Sequence, residues 1–415
     1  MSPCLSGPLD ELYPSLPNIV CISVHLILGI LQLAFLISIP VCLILLIPCS
    51  WFCIYVLAFL VLNRKLCDVL LNGPPFLESK TDLSRFPSHE NERWIFLNGV
   101  AAGATLIACH SHSDAKSLES IIRRGSIISF IAAQVPLTNP KWCHGRSGIL
   151  FDVIQCLIQR CFCYPTQDVR DCYVKIKDCL LDEKCTKLVL VLHSQGGIEG
   201  GLILDWLFGD VPSDLTRKME VYTFGNAANH FSNPHQHLLS AATASHNSKA
   251  IRHIEHYANE EDFVSCWGVL QFTSPRGSSR SNTNRFMGRV FIAPGGGHQF
   301  NQHYLDPMFP LDQRRGFGVL EHNRFMDNLV RVSTQASDGD REDLETSQAI
   351  GQGTDRHEDD ENDVVVRDLA SPVTWSFHSS SSFPSDPSMI RVRDVSRLWA
   401  YRNGKVPFPV EGDDY

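Results

Sequence analysis

The sequence predicts an α/β fold with a mostly parallel sheet and helices on both faces, preceded by a transmembrane hairpin and followed by a disordered acidic tail. Between residues 93 and 331, short apolar runs alternate with longer segments whose apolar residues recur at helical spacing. The runs are continuously apolar, as in strands of a parallel sheet buried on both faces. No Asp, Glu, Lys or Arg occurs between Glu11 and Arg64, so the chain begins with a segment of another kind.

The composition limits the classes of function. A chain of 415 residues accommodates one large α/β domain with appendages. Its net charge of −9 argues against a general nucleic-acid-binding role. The 15 cysteines are odd in number and show no C-x-x-C spacing, which argues against a disulfide framework or a zinc site. We therefore expect reduced, structural thiols in a cytosolic domain.

The apolar N-terminal segment, residues 18–62, is too long for one straight membrane helix. A single span needs about 20 residues, and Pro40 and Pro48 interrupt the helical pattern. We expect two helices, 18–39 and 41–62, that form a hairpin with its bend near the prolines. One tilted span followed by an interfacial segment is the alternative.

The residues that flank the apolar segment predict its orientation. Arg64 and Lys65 follow it directly, whereas the N-terminal tail has no Lys or Arg. The positive-inside rule then places the C-terminal side in the cytosol, so we expect an integral membrane protein with a cytosolic domain. The predicted divisions are an N-terminal tail (1–17), the hairpin (18–62), a linker (63–92), the α/β domain (93–331) and the tail (332–415).

The C-terminal tail is acidic. Between Asp338 and Asp368 there are 12 acidic residues and three arginines, a composition that cannot bury enough apolar surface to fold alone. Residues 389–405 regain aromatic and basic character. We expect a largely disordered tail in which this last segment either docks on the body or a protein partner, or stays solvated.

Within the α/β domain, the elements follow one another at regular intervals. The pattern predicts strands at 94–98, 126–133, 188–192, 219–224, 251–257 and 289–293, and helices at 149–160, 169–181, 196–207 and 319–330. The third strand leads into His193-Ser194-Gln195-Gly196-Gly197, and a glycine-punctuated apolar helix follows. This strand, sharp turn and helix are typical of a nucleophile elbow, which predicts that Ser194 is a catalytic nucleophile.

A serine nucleophile needs an acid and a base, in the chain order serine, acid, histidine. Strand 251–257 is followed by three acidic residues. We expect Asp262 to be the acid because an apolar Phe-Val pair follows it and would fix the loop. Glu260 and Glu261 are the alternatives, as is a solvated acidic turn.

The histidine is expected after the last strand. Strand 289–293 leads into a proline, three glycines and His298, and the glycines permit a tight loop that brings this ring to Ser194. His303 is the alternative base. The histidine takes the serine proton, and the carboxylate orients and stabilises the imidazolium.

The predicted oxyanion hole uses backbone N–H groups. One is the N–H of Gln195, directly after the nucleophile, and the other comes from the loop that begins Gly99-Val100. We expect His193 to point away from the site and to serve packing. Leu192 stands where the G-x-S-x-G pattern has a small residue, and a leucine there is expected to crowd the turn.

Four segments resemble a poorly characterised set of fungal α/β-hydrolase-like, lipase- and esterase-like membrane-anchored proteins. They are LHSQGG (192–197), EVYTFGNAANHF (220–231), IEHYANEEDFVSCWGVL (254–270) and GHQFNQHYL (297–305). The resemblance covers about residues 94–309 and implies an α/β-hydrolase-type sheet, the triad named above, and neither a metal nor an organic cofactor.

These features together predict a membrane-anchored serine hydrolase. Tethering to the bilayer suggests that its substrate is an acyl ester of a lipid. The alternative is a catalytically inactive scaffold of the same fold, which recruits protein partners through its C-terminal tail.

Overall fold

The computed structural model describes residues 16–70, 91–97, 99, 147–235, 249–273, 285–310, 319–332, 364–368, 390–405 and 407. The predicted strand 126–133, Val100 and most of the linker lie outside the described residues.

In the described part of the chain, seven strands form one mixed, mostly parallel sheet in the order β1-β2-β3-β4-β5-β7-β6. Their bounds are β1 Glu92–Leu97, β2 Lys187–His193, β3 Met219–Phe224, β4 His253–Asn259, β5 Arg289–Ala293, β6 Val330–Val332 and β7 Val364–Asp368. Neighbouring strands are parallel except β5 and β7, which pair antiparallel. The α/β class is therefore as the sequence predicts.

The longer helices lie at the N-terminus and around β2. They are α1 Leu16–Ile44, α2 Cys49–Leu70, α3 Ile149–Phe162, α4 Gln167–Leu181 and α5 Gln195–Asp210. Shorter helices are α6 Ser213–Thr216, α7 Phe263–Trp267, α8 Val269–Thr273, α9 Asp306–Met308, α10 Arg324–Asp327, α11 Val392–Val395 and α12 Arg397–Ala400. A π-helical turn, Phe300–Leu305, and a 3₁₀ turn, Arg402–Gly404, complete the described elements.

The strand β2 shows how the sheet separates two apolar cores. Leu188, Leu190 and Leu192 belong to the core beneath α3, α4 and α5, whereas Val189 and Val191 belong to the core on the opposite face. All five are fully buried. A continuously apolar strand is therefore explained by burial on both faces.

The predicted helix 319–330 is wrong. Its segment forms only the short helix α10 and then enters strand β6. Asn323 caps the start of α10, because its side chain accepts a hydrogen bond from the Met326 amide at 2.8 Å. The alternating sequence Val330-Arg331-Val332 then pairs with β7 instead of continuing the helix.

The globular unit extends past its predicted end at Arg331. Strand β7 lies within the segment assigned to the tail, and residues 390–405 pack against the body. A three-valine run in acidic surroundings gives too weak a pattern to predict a strand, since its stability comes from pairing with distant β5 and β6.

The apolar N-terminus forms two helices joined by a short turn. Helix α1 continues past Pro40 to Ile44, beyond its predicted end at residue 39. Helix α2 begins at Cys49 and runs to Leu70, into the segment predicted as a linker. The turn between the helices lies near Pro48, within the region where the sequence predicts the bend. Aromatic rings of Phe35 and Phe59 stack with centroids 3.9 Å apart, which holds α1 against α2. Among the described helices, one stretch, Ile22–Ile44, is long and apolar enough to cross a membrane.

Candidate active site

The turn between β2 and α5 holds Ser194 in a strained conformation. Ser194 has φ 58° and ψ −120°, a region that residues other than glycine rarely adopt and that costs of the order of 1–3 kcal/mol. Its amide donates to the Phe224 carbonyl at 3.0 Å, and its carbonyl accepts from the Gly197 amide at 3.0 Å. Backbone bonds from β3 and α5 therefore hold a conformation typical of a nucleophile elbow.

Glycines after the serine allow α5 to pack closely against the sheet. A Cβ on Gly196 would lie 2.3 Å from the Leu97 carbonyl oxygen. A Cβ on Gly200 would lie 2.3 Å from Cδ1 of Leu192. The large side chain of Leu192 is therefore accommodated by the missing side chain of Gly200, and the expected crowding of the turn does not occur.

Ser194, His298 and Asp262 form a continuous hydrogen-bonded chain. The Ser194 Oγ lies 2.8 Å from His298 Nε2. The other ring nitrogen, Nδ1, lies 2.8 Å from Asp262 Oδ2. Asp262 is buried and His298 is partly exposed. The structure thus brings together the three side chains that the sequence predicts, in the geometry of a serine nucleophile, a base and an orienting acid.

Several donors hold the Asp262 carboxylate. Oδ2 accepts from the Tyr304 hydroxyl at 2.6 Å and the Ser265 hydroxyl at 3.0 Å, and Oδ1 accepts from the Val264 amide at 2.9 Å. Burial alone would raise the pKa of Asp262, but bonds from His298, Tyr304 and Val264 outweigh it, so its pKa lies below the usual range. Asp262 therefore stays ionised beside the imidazole.

His193 contacts the ring of His298 directly, contrary to the expectation that it points away. Its ring stacks on His298 with centroids 4.8 Å apart, and its Nε2 lies 2.8 Å from the His298 carbonyl oxygen. A carbonyl only accepts, so Nε2 carries the proton and donates. Burial and the adjacent His298 lower the pKa of His193 to about 3, which keeps it neutral.

Sequence reasoning missed the roles of His193 and Tyr304. The dipeptide His193-Ser194 gives no indication that the ring of His193 turns towards the loop that carries His298. Tyr304 stands 42 residues after Asp262, and only the π-helical turn that contains it brings its hydroxyl to the carboxylate.

The alternative acids and base lie elsewhere. The Glu260 amide donates to the Ala293 carbonyl at 2.9 Å, which places Glu260 at the end of β5. Glu261 packs beside Gly296, where an added Cβ would lie 3.2 Å from its Oε2. His303 Nδ1 accepts from the Gln299 amide at 3.0 Å, so this ring supports the loop that carries His298.

The predicted oxyanion hole is described in part. A Cβ on Gly99 would lie 2.7 Å from Ser194 Oγ and 3.3 Å from the Gln195 nitrogen. The backbone at Gly99 therefore lies beside both the nucleophile and the Gln195 amide, where only glycine fits. Val100 lies outside the described residues.

The side chain of Gln195 is turned into a buried polar row. Its Nε2 donates to Gln159 Oε1 at 2.7 Å, and Gln159 Nε2 donates to Glu199 Oε1 at 3.2 Å. This row links the residue after the nucleophile to helix α3. No cluster of three or more His, Cys, Asp or Glu side chains that could hold a metal occurs among the described residues.

No protein-family model, curated protein or solved structure matches the chain.

Proposed function

We propose that this protein is a serine hydrolase that cleaves acyl esters through Ser194, His298 and Asp262. The observation that carries the proposal is the relay of two 2.8 Å contacts that starts at a serine on a strained strand-to-helix turn. A serine buried for structural reasons has no need of positive φ, a histidine partner and a buried carboxylate together.

The geometry supports a two-step acyl transfer. His298 Nε2 removes the proton from Ser194 as its Oγ attacks the ester carbonyl carbon, and Asp262 stabilises the imidazolium. The carbonyl oxygen takes up the negative charge beside the backbone of Gln195 and Gly99. Collapse of this intermediate breaks the ester C–O bond, and His298 returns the proton to the departing alcohol.

Water completes the cycle. His298 removes a proton from a water molecule, whose oxygen attacks the acyl carbon bound to Ser194. The C–O bond to Ser194 breaks, the serine regains its proton from His298, and the carboxylic acid leaves. No step needs a metal or an organic cofactor.

The arrangement also supports an α/β-hydrolase type of fold. The nucleophile follows β2, the acid follows β4 and the histidine follows β5, so all three lie at the carboxyl ends of parallel strands. The apolar helix α1 supports attachment of the protein to a membrane. An acyl ester of a membrane lipid is accordingly the substrate that we propose.

Active-site labelling tests the proposal. A fluorophosphonate probe should label the full chain in detergent, because only an activated serine reacts with it. Ser194→Ala should abolish labelling and hydrolysis of a short soluble ester while the protein keeps its thermal transition. His298→Ala should lower labelling by at least about a hundredfold.

Ser213→Ala, at the start of α6, is the matched control and should label like the wild type. Unchanged labelling of the Ser194→Ala protein would reject Ser194 as the nucleophile. A wild-type protein that neither reacts nor hydrolyses esters would instead be a scaffold.

A further inference from the structure

We propose that helix α3 lies in the surface of the lipid bilayer and presents the Ser194 site to acyl esters that reside in the membrane. This inference rests on the proposed hydrolase function and specifies where the enzyme meets its substrate. Its first observation is a row of apolar side chains that α3 exposes. Ile149, Val153 and Leu157 are 45%, 44% and 42% exposed, and their spacing of four residues places them along one side of the helix.

The exposed row begins where α3 meets the N-terminal hairpin. The ring of Phe151 lies edge-on to Phe35 and Phe59, with centroids 6.3 Å and 6.2 Å away. Ile149 approaches Gly29 of α1, where an added Cβ would lie 4.0 Å from its Cγ2. The apolar side of α3 is therefore continuous with the helix that is apolar enough to enter a membrane.

Polar bonds fix this junction. Gln32 donates to Asn63 Oδ1 at 2.9 Å and to the Ser147 carbonyl at 2.5 Å, and Asn63 donates to the same carbonyl at 2.8 Å. Gln32 and Asn63 are both buried. The hairpin is thus bound to Ser147, two residues before α3 begins.

The position of this junction sets the depth of the hairpin. From Gln32 to Ile44 helix α1 rises about 18 Å, and from Cys49 to Asn63 helix α2 rises about 21 Å. Both are shorter than a hydrocarbon core of about 30 Å. The part of the hairpin beyond the junction is therefore too short to cross the bilayer by itself, and a junction at the membrane surface places the hairpin turn inside the hydrocarbon core.

The charges of α2 agree with this depth. Arg64 and Asp68 form an exposed ion pair with a nitrogen–oxygen distance of 3.2 Å, just past Asn63 on the side away from the hairpin turn. Charged side chains are costly in hydrocarbon and favourable among head groups. Helix α3 starts at the same level and, with its apolar side exposed, is suited to lie at the boundary between head groups and acyl chains.

The C-terminal part of α3 is bonded to the active site. Gln159 accepts from the side chain of Gln195, the residue after the nucleophile. Arg160 donates to the carbonyls of Ala227 and Trp267 at 2.9 Å and 2.7 Å, and its guanidinium lies 3.7 Å from the Trp267 ring centroid. Membrane contact along one side of α3 therefore positions the nucleophile turn close to the lipid.

Two variants test this surface in the full chain, reconstituted in phosphatidylcholine vesicles. Val153→Glu and Leu157→Glu place a carboxylate on the exposed side of α3. Val174→Glu is the matched control, since Val174 on α4 is 54% exposed and lies on another helix. The α3 variants should hydrolyse a long-chain acyl ester embedded in the vesicles at least about tenfold more slowly, and a short soluble ester at the wild-type rate.

A second measurement does not depend on activity. A photoreactive benzoyl-phenylalanine at position 157 should crosslink to phosphatidylcholine, whereas the same group at position 174 should not. Equal crosslinking at both positions, or equal loss of vesicle-ester hydrolysis in the Val174→Glu control, would overturn the membrane assignment of α3. Failure of the wild type to hydrolyse either ester would reject the hydrolase function and leave the crosslinking result to decide the membrane contact.

Discussion

The ring of His193 stacks on the ring of His298 and donates a hydrogen bond to its backbone carbonyl. The residue before Ser194 thus binds the loop that carries His298. Three glycines precede His298, so this loop has few side chains of its own to hold it. We infer that His193 positions the base relative to Ser194.

His193→Phe should therefore lower kcat for a soluble ester by about tenfold and leave KM nearly unchanged, because the stack remains and the hydrogen bond is lost. His193→Gln, which keeps a donor, should recover most of the rate. Steady-state kinetics from pH 5 to 9 are the measurement. An equal loss in both variants would show that the hydrogen bond does not position His298.

The low pKa of His193 also predicts how stability depends on pH. Its pKa falls from 6.5 to about 3 on folding, so between these values the unfolded state binds the additional proton. The free energy of unfolding contributed by neutral His193 is fully present above pH 6.5 and is lost as the pH falls towards 3. Thermal unfolding of His193→Gln in detergent should depend less steeply on pH in this window than that of the wild type. Parallel curves would contradict the burial of a neutral imidazole.

Tyr304 supports the carboxylate of Asp262. Its hydroxyl donates to Asp262 Oδ2 at 2.6 Å and helps to keep the pKa of Asp262 low. Tyr304→Phe removes this donor, so the pKa of Asp262 should rise and the acidic limb of the kcat/KM profile should move to higher pH. We expect a three- to tenfold loss at neutral pH, which corresponds to about 0.7–1.4 kcal/mol, the net contribution of a typical hydrogen bond.

The control for this variant is Tyr401→Phe. Tyr401 is equally buried and also donates to a carboxylate, that of Glu220, at 2.7 Å. Tyr401→Phe should lower the thermal stability of the protein without moving the acidic limb of the kcat/KM profile. A shift of the limb in both proteins would mean that loss of packing, and not the bond to Asp262, changes the profile.

Leu192 and Gly200 are complementary in volume. A Cβ on Gly200 would lie 2.3 Å from Leu192 Cδ1, so Gly200→Ala should destabilise the protein by about 1–3 kcal/mol. Leu192→Ala leaves a cavity and should cost about 2–5 kcal/mol. The double variant should lose less unfolding free energy than the sum of the losses in the two single variants, because the new methyl group occupies part of the cavity. Additive changes in the free energy of unfolding would show that the two side chains do not share this space.

Parts of this structure governed by local sequence could be predicted, and parts governed by distant contacts could not. β3 and β5 have the predicted bounds because continuous apolar runs are enough to specify buried parallel strands. The order serine, acid, histidine along the chain identified the three side chains that meet. Sequence periodicity does not show that β7 joins the sheet or that His193 turns towards His298, since partners far along the chain determine both.

The C-terminal segment is held by a buried ion pair. Arg397 donates to Glu220 Oε1 at 2.8 Å, and its backbone amide donates to Glu255 at 2.8 Å. Burial by itself would raise the pKa of Glu220, but the charge of Arg397 outweighs burial and the pKa lies well below the usual range. The attachment of residues 390–405 to the sheet should therefore depend on this pair.

Arg397→Ala leaves the carboxylate of Glu220 buried without its cation, which should cost about 3–5 kcal/mol and expose residues 390–405 to proteolysis. The loss should be greatest above pH 4.5, where Glu220 contributes its full stabilisation, and smaller as the pH falls and the carboxyl takes up a proton. Arg397→Met combined with Glu220→Gln removes both charges at similar volume and should recover much of the stability. Urea unfolding and limited trypsin digestion of the three proteins measure these effects. If the single and double variants unfold at the same urea concentration, the segment is held by its apolar contacts and not by the ion pair.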